Sequence, residues 1–208
     1  MAYDLEEQEQ LDELKAWWKR HGNTVMLGLG LALAAFAAYQ GWKAYQHRQS
    51  LQASAQYDAL TQLEEKDIKG IRSISGQIIE KYAGTPYAVR AALIAAKANY
   101  AANDAKSAKA QLEWAMGHAK EDALRAVAQL QLAAIQFDEK QYDAALKTLG
   151  EKHDAGFDGL FADLKGDILA AQGKKAEAKA AYAEALTKLD AGGDYRHHTE
   201  HKLDALGS

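Results

Sequence analysis

Between Arg20 and Lys43 the chain runs for 22 residues without an Asp, Glu, Lys or Arg. As a helix this stretch is about 33 Å long, against a lipid hydrocarbon core of about 30 Å. Its centre, Val25 through Ala38, holds no polar side chain, and aromatic rings stand on both flanks: Trp17 and Trp18 before it, Tyr39, Trp42 and Tyr45 after it. Amphipathic rings at both ends of an apolar run match two membrane–water interfaces. The expectation is one transmembrane helix over residues 24–42. A buried core helix of this length is unusual in so small a domain. A cleavable signal peptide has Ala35-Phe36-Ala37 in its favour as a small-residue cleavage site. Against it stand the 23 preceding residues, which are acidic where a signal peptide begins with a short basic region.

Residues 1–23 carry six acids and three bases, and read as an acidic cytoplasmic head. Leu5-Glu6-Glu7 through Leu11, Leu14 and Trp17-Trp18 pattern as a short amphipathic helix leading to the membrane. Three bases (Lys15, Lys19, Arg20) lie before the span and two (Lys43, Arg48) after it, a slight bias toward a cytoplasmic N-terminus. Within the span, Gly28 and Ala32 place small residues four apart, as do Gly30 and Ala34. That spacing lets another helix approach closely. An alanine-rich span also produces it by chance.

The remainder reads as all-α. One proline (Pro86) occurs in 208 residues, β-branched residues are sparse, and Ala, Leu, Lys, Glu and Gln dominate. The chain is expected to stay helical through Leu63, to break at Asp67–Gly70, and to form a second helix ending near Tyr82. Gly84-Thr85-Pro86 then starts a new helix, with Thr85 as cap and Pro86 in the first turn. From there the pattern repeats. In residues 159–189, Gly166 sits where one helix must approach another, Gly173 ends the first helix, and Ala178, Tyr182 and Ala185 mark the second. Ala133, Gln141-Tyr142, Ala145 and Leu149 align with this unit, as do Ala96, Asn103-Asp104, Ala108 and Leu112 before them. Ala108, Ala145 and Ala178 are 37 and 33 positions apart. Helix–turn–helix content with a period of about 34 is the tetratricopeptide signature. The alternative is an unrelated helical bundle whose alanines coincide. The expected organisation is head (1–23), span (24–42), connecting helices and an atypical first pair (43–85), three repeats (86–190), and a C-terminal capping helix and tail (191–208).

Stacked helical hairpins present a concave face lined by the first helix of each pair. Counting from the aligned small residues puts Leu93, Lys97 and Tyr100 there from the first unit. Leu130, Ala134 and Phe137 follow from the second, and Asp163, Asp167 and Ala170 or Ala171 from the third. Such a groove, apolar in the middle and charged at its ends, suits a partner helix or an extended segment. Tyr100 and Phe137 are the candidate partner contacts, unless both rings pack between helices.

Catalytic and cofactor chemistry finds no footing. There is no cysteine, no glycine-rich phosphate loop, and no Ser–His–acid grouping assignable from spacing. His197 and His201 are four apart, beside His198 and Glu200, but no third metal ligand is apparent and a solvated tail is the expectation. Residues 49–208 carry 23 acids against 20 bases, so the domain lacks the basic footprint that nucleic acid requires. No cofactor, metal or nucleic acid is expected.

The chain resembles, over essentially its whole length, the YfgM family of ancillary SecYEG translocon subunits. The resemblance rests on the acidic head ending in Leu14-Lys15-Ala16-Trp17-Trp18-Lys19, on the single span, on Leu130-Gln131-Leu132-Ala133, and on Lys140 through Leu149. Most specific is Gly156-Phe157 followed by Ala162-Asp163-Leu164-Lys165-Gly166-Asp167-Ile168-Leu169 and Gln172-Gly173. It implies a bacterial inner-membrane protein with a cytoplasmic N-terminus and a periplasmic repeat domain. It further implies association with the SecYEG translocon and with a membrane-anchored periplasmic chaperone of the isomerase type, assisting translocating polypeptides to leave the channel and fold. The residues alone leave open a structural scaffold for another envelope complex, or a regulator acting through the cytoplasmic head.

Overall fold

The computed structural model describes the backbone of residues 2–207 and side chains from residue 9 to 207. Leu5, Glu6 and Glu7 therefore lie outside the described side chains. The described residues are helical or in connecting turns, with no strand among them. They divide into two units, one ending at Gln49 and one beginning at Ser50.

Helix α1 covers Ala2–Thr61. In the first unit its apolar side chains are exposed, from 39% at Val25 to 67% at Leu27, and Leu31, Leu33 and Phe36 fall within that range. A soluble core helix hides such residues, whereas a lipid-facing one does not. Trp18 folds back over Gly22, where a Cβ would stand 3.1 Å from the indole.

In the second unit α1 stops at Thr61, two residues before the expected Leu63, and α2 spans Ile68–Lys81. The break precedes Ile68: Asp67 caps α2 by accepting from the Gly70 amide at 2.9 Å. Three helical pairs follow: α3 (Pro86–Ala101) with α4 (Ala105–His118), α5 (Asp122–Asp138) with α6 (Tyr142–Leu149), and α7 (Asp158–Ala171) with α8 (Lys175–Lys188). A short 3-10 turn, Ala155–Phe157, leads into α7, and α9 (Asp194–Ala205) closes the order. Pro86 opens α3 as expected, but the Thr85 hydroxyl does not cap it; it donates back to the Tyr82 carbonyl at 2.8 Å.

Each pair turns through a left-handed residue: Asn103 (φ 60°), Lys140 (φ 60°) and Gly173 (φ 78°). At each turn the next amide reaches back five residues, Asp104 to Asn99, Gln141 to Gln136 and Lys174 to Leu169, at 2.8–2.9 Å. The left-handed residue's own amide reaches back three. This is the Schellman closure, which satisfies the carbonyls a helix end would orphan. Lysine fills the slot at 140 despite its Cβ, a turn that composition does not announce.

Small residues carry the crossings. Ala96 and Ala133 are buried in the first helices, Ala108, Ala145 and Ala178 in the second. Gly166 lies under the ring of Tyr182, so close that any Cβ there would collide with it. The apolar clusters draw on consecutive helices: Leu60, Ile71, Ile78, Ala88 and Ala91 join α1 to α2 and α3, and Val89, Leu112 and Leu132 join α3 to α4 and α5. Ala126, Leu149 and Ile168 join α5 to α6 and α7, while Leu169 and Tyr182 meet Leu203 of α9 and Leu206 just beyond its end. Each helix thus finds its cover in its neighbours, as stacked repeats require.

Helix α6 is only 8 residues long, against 14 for α4 and α8. Buried Gln129 of α5 donates to the carbonyls of Thr148 (2.6 Å) and Glu151 (3.2 Å), tying the end of α6 to α5.

Replacing Gly166 by alanine forces the Tyr182 ring or the α7–α8 crossing to move. The expected loss is about 1–3 kcal/mol, the usual cost of overpacking a tight core. Urea unfolding of the detergent-solubilised chain, followed by helical circular dichroism, measures it; an unchanged midpoint would show that the crossing has slack.

Candidate partner-binding groove

The side chains predicted to line one face fall into three neighbourhoods. On α3, Leu93 is half-buried against the core, while Lys97 and Tyr100 are exposed. The Lys97 ammonium lies 2.6 Å from Glu65, in the turn between α1 and α2, and holds that carboxyl below its usual range, by hydrogen bonding first and by charge second. The Tyr100 hydroxyl donates to Asp138 of α5 at 2.6 Å, a contact that pushes its ionisation up.

On α5, Leu130 and Phe137 are both half-buried, packed against the α5–α6–α7 cluster. The Phe137 ring tilts over Tyr142, centroids 6.0 Å apart. The two aromatic candidates therefore differ: Tyr100 keeps an exposed ring with its hydroxyl committed to the neighbouring repeat, and Phe137 is chiefly a packing residue of its own hairpin.

On α7, Asp163 and Asp167 face α9. Lys202 Nζ stands 2.7 Å from a carboxylate oxygen of each, and buried Thr199 donates to Asp163 at 2.8 Å. Tyr182 donates to the other oxygen of Asp167 at 2.8 Å. Burial alone would lower the Lys202 ionisation; its bonds to Asp163 and Asp167 outweigh that and raise it. Burial, reinforced by Asp167, raises that of Tyr182. These two aspartates are thus engaged within the chain. Neither Thr199 nor Lys202 stood out in the sequence, because a lone lysine in a polar helix looks like any solvated one.

Polar ties also run between repeats. Arg72 of α2 donates to Asn99 at 2.5 Å and to Asp104 at 2.8 Å, and Lys109 of α4 meets Glu139 at 2.5 Å. Ties of this kind fix the rotation of one hairpin on the next. His197 faces Glu200 at 3.4 Å, and Glu200 also forms an ion pair with Arg196 at 3.1 Å. Gly28 and Ala32 sit on the exposed part of α1; among the described residues nothing comes within 4 Å of where a Cβ would stand at Gly28.

The α9 seam makes a prediction with a definite sign. Lys202 and Tyr182 both have raised folded values, so their contribution is full below the ordinary values of 10.5 and 10.0 and is lost as pH climbs through the folded ones. Hydrogen exchange of residues 194–205 should therefore stay protected through neutral pH and accelerate first under alkaline conditions. Lys202→Met, which leaves two half-buried carboxylates facing each other, should cost about 1–3 kcal/mol, at the low end where solvent screens them. Exchange at α9 as slow in this variant as in the parent would contradict the assignment.

Set against known proteins, residues 15–208 match the family model described as a tetratricopeptide repeat-like domain. An ancillary SecYEG translocon subunit of Haemophilus influenzae is 34% identical over 89% of this chain and 91% of its own length. Proteins of the same name from Neisseria gonorrhoeae and Escherichia coli are each 31% identical, covering 99% and 88% of this chain and 100% and 88% of their own. With matches of this extent falling on one apolar N-terminal helix and a stack of helical pairs, the chain belongs to the family of ancillary SecYEG translocon subunits and carries a tetratricopeptide repeat-like domain.

Proposed function

We propose that this chain is a non-catalytic accessory subunit that associates with the SecYEG translocon in the bacterial inner membrane. The observation that carries the reading is the pairing of an exposed, uncharged 22-residue run with relatives bearing that subunit's name along nearly their full lengths. The head lies in the cytoplasm and the repeat domain in the periplasm, an orientation supported by the slight excess of bases before the span. There the repeats receive segments of translocating polypeptides together with a membrane-anchored periplasmic chaperone of the isomerase type, helping exported chains to leave the channel and fold. Stacked hairpins suit this work because they display a long surface without chemistry of their own.

Two contact regions divide the labour. The Gly28–Ala32 face of the span packs against a transmembrane helix of the translocon, where the absence of side chains permits close approach. The first helix of the repeats meets the polypeptide through exposed Lys97 and Tyr100, with Leu93, Leu130 and Phe137 packed beneath as its support.

Protease added to intact spheroplasts should digest the repeat domain and spare residues 1–23. A photoreactive side chain introduced at Leu31 should crosslink to the translocon, and Gly28→Leu should reduce that crosslink several-fold, as expected when a close helix approach is blocked. A repeat domain protected until lysis would overturn the orientation, and no translocon adduct from any turn of the span would overturn the association.

A further inference from the structure

At the α1–α2 end of the repeat domain, an apolar pit of about 260 Å³ opens between the last turn of α1, the turn behind it and α3. Its walls are Leu60, Leu63, Ile71 and Ile94, and Lys97 and Glu65 stand at its rim. The volume falls below the range of about 300–1,000 Å³ typical of small-molecule sites, and matches a single bulky side chain better than a whole ligand. Leu60 and Ile71 also belong to the core between α1, α2 and α3, so the floor is fixed by the fold.

The rim is less fixed. Lys97 and Glu65 pair at 2.6 Å, but their side chains are 73% and 86% exposed. An ion pair so open to water contributes about 0–1 kcal/mol, and a carboxylate from a partner can replace Glu65 at little cost. The two ions are also mounted differently. Lys97 projects from α3, about one turn before its end, whereas Glu65 rides on the non-helical turn between Thr61 and Ile68. The rigid charge is the cation, so the pit is electrostatically matched to an apolar residue next to an acid.

We propose that this pit is a side-chain receptor for extended polypeptide segments, taking one large aliphatic or aromatic residue whose neighbouring Asp or Glu displaces Glu65 from Lys97. The assignment rests on the polypeptide-handling role proposed above and gives it a sequence preference. Glu65 acts as the resting-state stand-in for the incoming carboxylate, keeping Lys97 from capturing stray anions at an empty pit.

The natural chain has no cysteine, so Ala101→Cys at the pit wall gives a single labelling position for an environment-sensitive dye. The full-length chain in lipid nanodiscs is titrated with ten-residue Gly/Ser peptides containing a central Leu-Asp, Leu-Lys or Gly-Asp pair. Leu-Asp should saturate the signal; Gly-Asp should bind about tenfold more weakly, the scale expected for losing one anchor contact, and Leu-Lys up to about fivefold more weakly, the ceiling for an ion pair this open to water. Lys97→Glu should invert the preference between Asp and Lys flanks, and Glu65→Gln should tighten Leu-Asp by removing its competitor. Both changes lie on exposed side chains, so circular dichroism should be unaltered. No saturable response to any peptide, or equal affinity for both flanks before and after Lys97→Glu, would overturn the receptor. Crosslinking of the span to the translocon, measured on the same variants, separates the failures: its persistence confines the error to the pit, whereas its absence from the parent chain removes the role on which the pit depends.

Discussion

Helices in the repeat domain meet through residues too small to hold them apart. At Gly166 nothing larger than hydrogen fits beneath Tyr182, and Ala96, Ala133, Ala108, Ala145 and Ala178 occupy the matching crossings. Close crossings make each hairpin flat and leave one of its faces apolar, so the next hairpin must cover it. The core that results is thin: a series of small clusters, each shared by consecutive helices. Its two ends are where this scheme needs other solutions. At one end the last turn of α1 and the length of α2 supply apolar cover through Leu60, Ile71 and Ile78. At the other, α9 and the residue just beyond it add only Leu203 and Leu206 and rely on Lys202 and Thr199 meeting Asp163 and Asp167.

A thin core built this way also explains the division of the chain. Residues Val25 to Ala38 are apolar on every face and exposed, and stacked hairpins provide no slot of that length. Lipid does. The aromatic residues on either side, Trp17, Trp18, Tyr39, Trp42 and Tyr45, then stand at the depths where ring and headgroup are both satisfied. The stack leaves exposed or half-exposed positions on its first helices, Lys97 and Tyr100 among them.

Much of this was legible from residue order because the relevant rules are local. An uncharged run has a length, small residues have a spacing, and Gly173 marks a turn with no other plausible use. The turn at Lys140 was hidden, since lysine is an ordinary helix former and only the surrounding Schellman bonds hold it left-handed. The early end of α6 was hidden too: the carbonyls there, of Thr148 and Glu151, gain a donor from Gln129, some twenty residues away. Thr85 carried a capping signature but used its hydroxyl on Tyr82. Asp163 and Asp167 were placed on the expected helix, yet what they face was decided by Lys202 from α9, a pairing no local pattern encodes. The pit beside Lys97 was equally out of view, because its walls come from three helices and a turn.

The most direct measurement is the intact mass of the chain recovered from membranes after alkaline carbonate extraction. Retention in the lipid pellet, at a mass that includes the residues before Val25, is the predicted result. A shortened product beginning near Ala38 and released into the supernatant would show the apolar run to be a removed leader, and an anchored accessory subunit could not then be the protein's working form.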